Sequence, residues 1–261
     1  MLHELRGLFL DFDGTIAETE RFGHRVAYNR AFAERNLAWH WDEALYADLL
    51  RVAGGKERLR FFLGRDHPEL HDAAAREQLI DELYRAKVEH FTALAPRIPF
   101  RPGVQRLIGE AHAAGLRVAI VTTGSRAGVQ SLLAQDAALS EMFDLLATNE
   151  SVEKKKPAPD VYEWALAQLD LAPEACVAVE DSHVGVCAAL AAGIATLVTV
   201  SDYTAREDFT GAAAVLSSLG DSARIARSIS GIAPRNGLVD LEFLRAIQAS
   251  ATPNRVLKNS R

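Results

Sequence analysis

Asp11 and Asp13 stand two residues apart at the end of an apolar run, Gly7 to Leu10, and are followed by Gly14 and Thr15. A run of that length bounded by a turn signal predicts a short buried strand. In extended backbone, residues i and i+2 project to the same side. Both carboxylates therefore face one spot beyond the strand's carboxyl end, where open α/β sheets bind ligands. Two carboxylates held together repel unless a cation or a shared proton lies between them. The pair points to Mg²⁺ and phosphoryl chemistry, with one aspartate as nucleophile and the other as acid/base. A strand running into an Asp/Gly turn is the plainer reading of the triplet alone.

Three further stretches bear on that choice. Thr122, Thr123, Gly124, Ser125 and Arg126 follow a second apolar strand and open a helix. Hydroxyls and N–H groups at a helix start form an anion site, and Ser125 is equally a plain N-cap. In Lys154-Lys155-Lys156-Pro157, one fixed ammonium can hold a transferring phosphoryl group as a point charge. Lys156, abutting Pro157, is the lysine selected, while Lys154 and Lys155 read as solvated. Glu180 and Asp181 again end an apolar strand. With Asp11 and Asp13 they can complete an oxygen-rich Mg²⁺ site, or they precede a helix capped near Ser182. The four stretches fall in order, each at a strand end of one sheet.

The chain that must position them has 261 residues, 49% of them hydrophobic and 25% charged, which suits one large or two modest globular domains. A net charge of −6 argues against a nucleic-acid partner, so any anion site has to be assembled locally. Cys176 and Cys187 form no disulfide framework and fit a reducing, cytoplasmic setting. No apolar leader precedes Asp11. The charge-free stretch 184–201 is interrupted by Gly193 and reads as a buried helix and strand, not a membrane span.

Residues 17–99 show helical patterns only. These are 20–36 with Phe22, Val26 and Ala33 on one face, 42–53, 56–63, and 72–95 with Leu79, Leu83, Val88 and Phe91 on one face. Asp42 and Asp72 read as N-caps. From residue 100 helices and strands alternate: strands over 117–122, 145–147, 176–179 and 195–200, an edge strand over 213–216, and helices over 102–114, 126–135, 159–169, 183–192 and 238–249. That alternation predicts an α/β fold, a doubly wound parallel-sheet core over 1–16 and 100–261, with an inserted helical cap over 17–99. Pro96, Pro99 and Pro102 mark the return from the cap, and a ligand site is expected between the lobes. The tail from Ser250 reads as frayed. The stretch 201–236 has no assigned role.

Asp11-Phe12-Asp13-Gly14-Thr15, Thr122, Lys156-Pro157 and Glu180-Asp181 resemble the four motifs of the haloacid dehalogenase-like (HAD) hydrolase superfamily, whose core is Rossmann-like. The insert is similar to that family's helical cap. Segments 17–20, 54–58 and 122–126 resemble the CbbY branch, known for dephosphorylating xylulose 1,5-bisphosphate, an inhibitory by-product of Rubisco in the Calvin cycle. The resemblance implies that Asp11 attacks phosphorus to give an aspartyl phosphate. It implies that Asp13 protonates the leaving alkoxide and then activates water, with a pKa tuned upward by burial under the cap. Mg²⁺ would be held by Asp11, the Asp13 carbonyl oxygen and Asp181, with Glu180 as a ligand or just behind. Thr122 and Lys156 would hold the phosphoryl oxygens. Substrate binding would fall to Glu18, Glu20, Gly54, Gly55, Lys56 and Arg58, and to Thr123, Gly124, Ser125 and Arg126. Lys56 and Arg58 would meet a second phosphate, and Glu18 and Glu20 the sugar hydroxyls.

The nearest rival is a phosphosugar mutase such as β-phosphoglucomutase, which carries a cap histidine at a set spacing. Here that position is Gly23, with His24 one residue off, and this favours hydrolysis. A dehalogenase does not need the acid that Asp13 supplies. A receiver-type phospho-Asp sensor is half this length, has no cap and carries an adjacent acidic pair. The implied partner is a small sugar phosphate, with no nucleic acid or membrane, and a moving cap favours a monomer.

Overall fold

The computed structural model describes residues 4–52 and 54–250. The chain divides into two compact units, Met1–Glu18 with Pro99–Arg261, and Thr19–Ile98. The first unit opens with β1 (Gly7–Leu10), buried at all four positions. It passes to the second unit after Glu18 and resumes at Pro99, where Glu18 N donates to Pro99 O at 3.2 Å.

The second unit is helical. A π-type turn, Glu20–His24, leads into α1 (Arg25–Glu34), followed by α2 (Glu43–Leu49), α3 (Gly55–Asp66) and α4 (Ala73–Leu94). Asp42 and Asp72 cap α2 and α4, accepting from Leu45 N and from Ala74 N and Ala75 N. The buried face of α1 is Ala27, Tyr28, Ala31 and Phe32, not the predicted Phe22, Val26 and Ala33, and Phe22 is exposed. On α4 it is Ile80, Leu83, Ala86, Lys87 and Phe91, and Val88 is exposed. The reason lies off both helices. An aromatic cluster links Tyr28 to Trp41 (4.5 Å between ring centres), Phe32 to Trp41 (5.1 Å) and Trp41 to Phe62 (5.2 Å), and α1 turns its own rings toward it. Aromatic rings bury about 150–250 Å² each and outweigh single aliphatic positions. The predicted helix over 42–53 stops at Leu49, and Ala53 lies outside the described residues.

The first unit continues with α5 (Val104–Ala113), β2 (Arg117–Val121), α6 (Arg126–Leu133), α7 (Ala137–Glu141), β3 (Leu145–Ala147), α8 (Asp160–Leu169), β4 (Cys176–Glu180), α9 (His183–Ala191), β5 (Ala195–Thr199), β6 (Ala214–Leu216), β7 (Ser228–Gly231) and α10 (Leu241–Ser250). The sheet runs β3-β2-β1-β4-β5-β6-β7, parallel from β3 through β6, with β7 antiparallel. Successive strand residues face opposite sides. Phe9, Ala119, Val121, Cys176 and Ala178 pack with Tyr162 and Ala165 of α8 and Ala188 of α9. The alternate residues Leu8, Leu10, Val118, Ile120, Val177 and Val179 are also fully buried, and α5 and α10 pack against β2, β4 and β5.

Two expectations are corrected here. β6 was expected at the sheet edge, but β7 covers it. β7 is exposed along its whole length and carries no apolar alternation, so it left no pattern in the stretch 201–236. The helix expected over 126–135 ends at Leu133, and Asp136 caps α7. The tail after Ser250 lies outside the described residues. Among the described residues no helix is long and apolar enough to cross a membrane, and 184–201 resolves into α9 and β5.

Candidate active site

The sheet order decides where chemistry can collect. From β1 the chain builds β2 and β3 on one side and β4 and β5 on the other. Such a switch point opens a crevice at the carboxyl ends of the strands. Asp11 follows β1 and stays paired with β4, its N–H donating to Val179 O at 2.9 Å. The next residues fold into a closed turn. Gly14 N donates to Ala17 O at 2.9 Å and Ile16 N to Phe12 O at 3.0 Å. Gly14 has φ +87°, and any side chain there would collide with the Asp181 carboxylate. Glycine therefore permits the turn and lets it lie against Asp181.

The two aspartates of the turn meet different partners. Asp11 is buried beside Lys156, while Asp13 is partly buried on the side of the β2 loop. A Cβ placed on Gly124 would lie 3.2 Å from Asp13 Oδ2 and 3.3 Å from Thr122 Oγ1.

Lys156 reaches the site from the loop after β3. Its Nζ donates to Asp11 Oδ1 at 2.7 Å, Glu180 Oε1 at 2.7 Å and Val121 O at 2.8 Å. An ammonium has three donors, and all are used. Tyr162 of α8 donates to the same Glu180 oxygen, and its ring lies 5.1 Å from Lys156 Nζ. Burial by itself would depress the Lys156 pKa, but Asp11 and Glu180 outweigh it and hold it above the ordinary lysine value. Burial, reinforced by Glu180, keeps the Tyr162 hydroxyl protonated as a donor. Lys154 and Lys155 are exposed, as expected.

Oxygens of Asp11, Glu180 and Asp181 lie within 4.8 Å of one another, and all three residues are buried. Burial, only partly offset by Lys156, raises Asp11 to about 7. Burial together with the charges of Asp11 and Glu180 pushes Asp181 well above the usual carboxylate range. Glu180 Oε2 is buried with no hydrogen-bond partner. Once ionised, the three carboxylates exceed the one ammonium of Lys156 by two negative charges. A hard divalent cation with oxygen ligands, such as Mg²⁺, matches both that charge and that donor set.

Thr122 is buried, its N–H pairs with Ala147 O at 3.0 Å, and its Oγ1 accepts from Gly124 N at 2.9 Å. Thr123 is exposed. Ser125 caps α6 through Gly128 N at 3.2 Å, and the Arg126 N–H is taken by the Glu150 carboxylate at 3.1 Å. The start of α6 is thus served from within the chain. The Arg126 guanidinium donates to Leu146 O at 3.1 Å. Glu18 pairs with Arg101 Nε at 3.0 Å.

The other sequence-selected positions lie in the second unit. Arg58 is buried there, donating to Leu49 O at 3.2 Å and Tyr46 Oη at 3.3 Å. Tyr46 in turn donates to Glu20 Oε2 at 2.5 Å, so Glu20, Tyr46 and Arg58 form one connected group. Lys56 is partly exposed and paired with Asp81 at 2.6 Å. Gly54 has φ +93°, and Gly55 O accepts from Tyr28 at 3.0 Å. Gly23 is packed so closely on Phe91 and Ile98 that a Cβ would lie 2.7 and 2.6 Å from them, while His24 stacks on Phe91 at 4.2 Å. Tyr46, Tyr162 and Arg101 escaped the sequence reading. Tyr162 had a usable cue, since it follows the Lys156-Pro157 motif by only a few residues, near the start of α8.

Against known proteins, the model of the haloacid dehalogenase-like hydrolases matches residues 5–193. Protein CbbY of Rhodobacter capsulatus is 41% identical over 213 residues, covering 80% of this chain and 91% of that protein. The plasmid-encoded CbbY of Cupriavidus necator is 42% identical over 247 residues, covering 93% and 96%. A crystal structure of a CbbY mutant from Rhodobacter sphaeroides in complex with xylulose 1,5-bisphosphate superposes with a TM-score of 0.74 at 40% identity, covering 84% of this chain and 98% of that one. With its motifs gathered at one switch point and these relatives matched over most of its length, the chain belongs to the haloacid dehalogenase-like hydrolases, beside the CbbY proteins, and is a phosphatase.

Proposed function

We propose that this protein is a Mg²⁺-dependent sugar-bisphosphate phosphatase that removes the 1-phosphate of xylulose 1,5-bisphosphate through an aspartyl-phosphate intermediate. The observation that carries the reading is the Lys156 junction, which ties the nucleophile candidate Asp11 to Glu180 at 2.7 Å on each side. The substrate assignment is supported by the sugar bisphosphate bound in the Rhodobacter sphaeroides relative. Asp11 attacks phosphorus and the P–O bond to the sugar breaks. Asp13 gives its proton to the departing alkoxide, then takes one from the water that hydrolyses the aspartyl phosphate. Lys156 and Thr122 hold the phosphoryl oxygens, Lys156 as a fixed charge in a dry site. Asp11, the Asp13 carbonyl, Asp181 and Glu180 are the residues that hold the cation. When bound, it neutralises charge on the phosphoryl oxygens and keeps Asp11 ionised.

Substrate choice is assigned to the second unit. Lys56 is the cation there for a second phosphate, and Arg58, buried and bonded to Tyr46, holds Glu20 for sugar hydroxyls through the Tyr46 hydroxyl. Glu18, Gly54, Gly55 and the segment Thr123–Arg126 complete the proposed binding set. The packing around Gly23 leaves no room for the histidine a mutase places there, which favours transfer to water.

Phosphate release with Mg²⁺ tests this on xylulose 1,5-bisphosphate, ribulose 1,5-bisphosphate and sugar monophosphates, with Asp11→Asn as blank. Preference for xylulose 1,5-bisphosphate is expected, and Asp11→Asn should lower kcat by at least about 10⁴-fold. Equal turnover of monophosphates would sink the role of Lys56. Isomerised sugar phosphate in place of free phosphate would establish a mutase.

A further inference from the structure

Arg101 is a buried cation outside the four motifs, at the point where the chain re-enters the first unit. Its backbone N–H donates to Ile16 O at 2.9 Å, which fixes its Cα beside the turn that carries Asp13 and Gly14. Its guanidinium then spans three segments. Nη1 donates to Gly14 O and to Thr199 O, the latter at 2.8 Å. Nη2 donates to Val200 O at 2.6 Å and Ser217 O at 3.2 Å, and Nε faces Glu18 at 3.0 Å. The ends of β5 and β6 and the turn after β1 are thus pinned to one rigid fork. A lysine has no such planar set of donors.

What lies between the pinned segments is Asp181. Gly14 abuts its carboxylate on one side. Ser201, next to Val200, hydrogen-bonds it on another. Both neighbours of this carboxylate hang on backbone that Arg101 holds. Partners that orient a metal ligand from behind are worth about 10–100-fold in metal affinity.

From this geometry we infer that Arg101 is a positioning residue for the cation site, fixing Asp181 by clamping the Gly14 turn to the Val200–Ser201 segment. The inference rests on the reading of Asp11, Glu180 and Asp181 as the Mg²⁺ site. It concerns the placement of Asp181, not contact with substrate.

The test is Mg²⁺ binding by titration calorimetry on wild type, Arg101→Lys and Arg101→Met, which needs no turnover, with circular dichroism to establish that each is folded. Arg101→Met is expected to weaken Mg²⁺ about tenfold or more, and Arg101→Lys by a similar factor, because charge without the fork does not restore the clamp. In phosphatase assays the Mg²⁺ concentration for half-activation should rise in parallel, while KM for substrate at saturating Mg²⁺ stays within about threefold. Folded variants with lowered thermal stability but wild-type Mg²⁺ affinity would overturn the inference and leave Arg101 a packing residue. Wild-type protein that binds no Mg²⁺ would overturn the cation reading and this inference together, whereas wild-type binding with unchanged variants overturns this inference alone.

Discussion

In the first unit Lys156 directs all three of its N–H donors at oxygen, two of them carboxylate oxygens, whereas Lys87 in the second unit lies among the rings of Tyr28, Tyr84 and Phe91 at 5.3, 5.8 and 5.3 Å. Both lysines are buried. The first reaches in from the loop after β3 to strand ends whose backbone fixes its partners, and its charge is matched by Asp11 and Glu180. The second is on a helix face, where a cation in the aromatic core keeps favourable electrostatics from ring faces. Arg58 also lies over a ring, that of Tyr46 at 5.4 Å, and adds hydrogen bonds to Leu49 O and Tyr46 Oη. A buried ion pair holds its members in place because losing either one strands the other. A ring face is a broader and weaker partner than a carboxylate.

That contrast can be broken most sharply at Lys156. Lys156→Met should reduce kcat by about 10²–10³-fold, the range for removing a preorganised donor, and make folding more dependent on added Mg²⁺. Thermal melts with and without Mg²⁺, together with steady-state kinetics, check both. A variant that keeps wild-type kcat would remove the electrostatic role given to the first-unit lysine.

A smaller effect separates protons from metal at the same carboxylates. Burial raises Asp11 to about 7 and lifts Asp181 well above its ordinary value. Between the ordinary carboxylate range and about pH 7 the metal-free folded protein therefore holds protons that the unfolded chain has released. Its stability falls as pH rises through that window. Mg²⁺ needs those carboxylates ionised, so protons compete with it. The stabilisation on adding Mg²⁺, read from the rise in Tm, should be larger at about pH 8 than at about pH 6, with a free-energy difference of roughly 1.4 kcal/mol per pH unit for each proton displaced. An increment independent of pH would show that the carboxylates are ionised without the cation.

The smallest effect is expected at Lys87. Lys87→Met keeps the length of the side chain and offers sulfur to the rings, so urea unfolding should report a loss below the one Lys156→Met causes, on the order of 2 kcal/mol for the ring contacts given up. A loss several times larger would place Lys87 in a charge-dependent role like that of Lys156 and erase the contrast.

Much of the first unit could be read along the chain. Asp11, Asp13, Thr122, Glu180 and Asp181 were each marked by a strand end followed by polar residues, Lys156 by its place against Pro157, and the alternation of elements implied a parallel sheet. The sheet order then brings Asp11, Lys156, Glu180 and Asp181 within reach of one another. Tyr162 and Arg101 were not read as site residues, because a tyrosine in the first turn of α8 and an arginine before Pro102 become partners only after strands from distant positions close around them. The same holds for β7, whose exposed Ser-Ile-Ser-Gly sequence has no face to bury.

In the second unit sequence reading located helices and their Asp caps but misjudged which face of α1 is buried. Periodicity measures where apolar residues recur, not which ring finds a ring on another element. Sequence alone determined the identity and order of the chemical groups, because strand ends and helix starts are local events of a few residues. Tertiary structure decided which charges touch, which stay exposed and which are pinned from behind, because those outcomes depend on the packing of segments far apart in the chain, 145 residues in the case of Asp11 and Lys156.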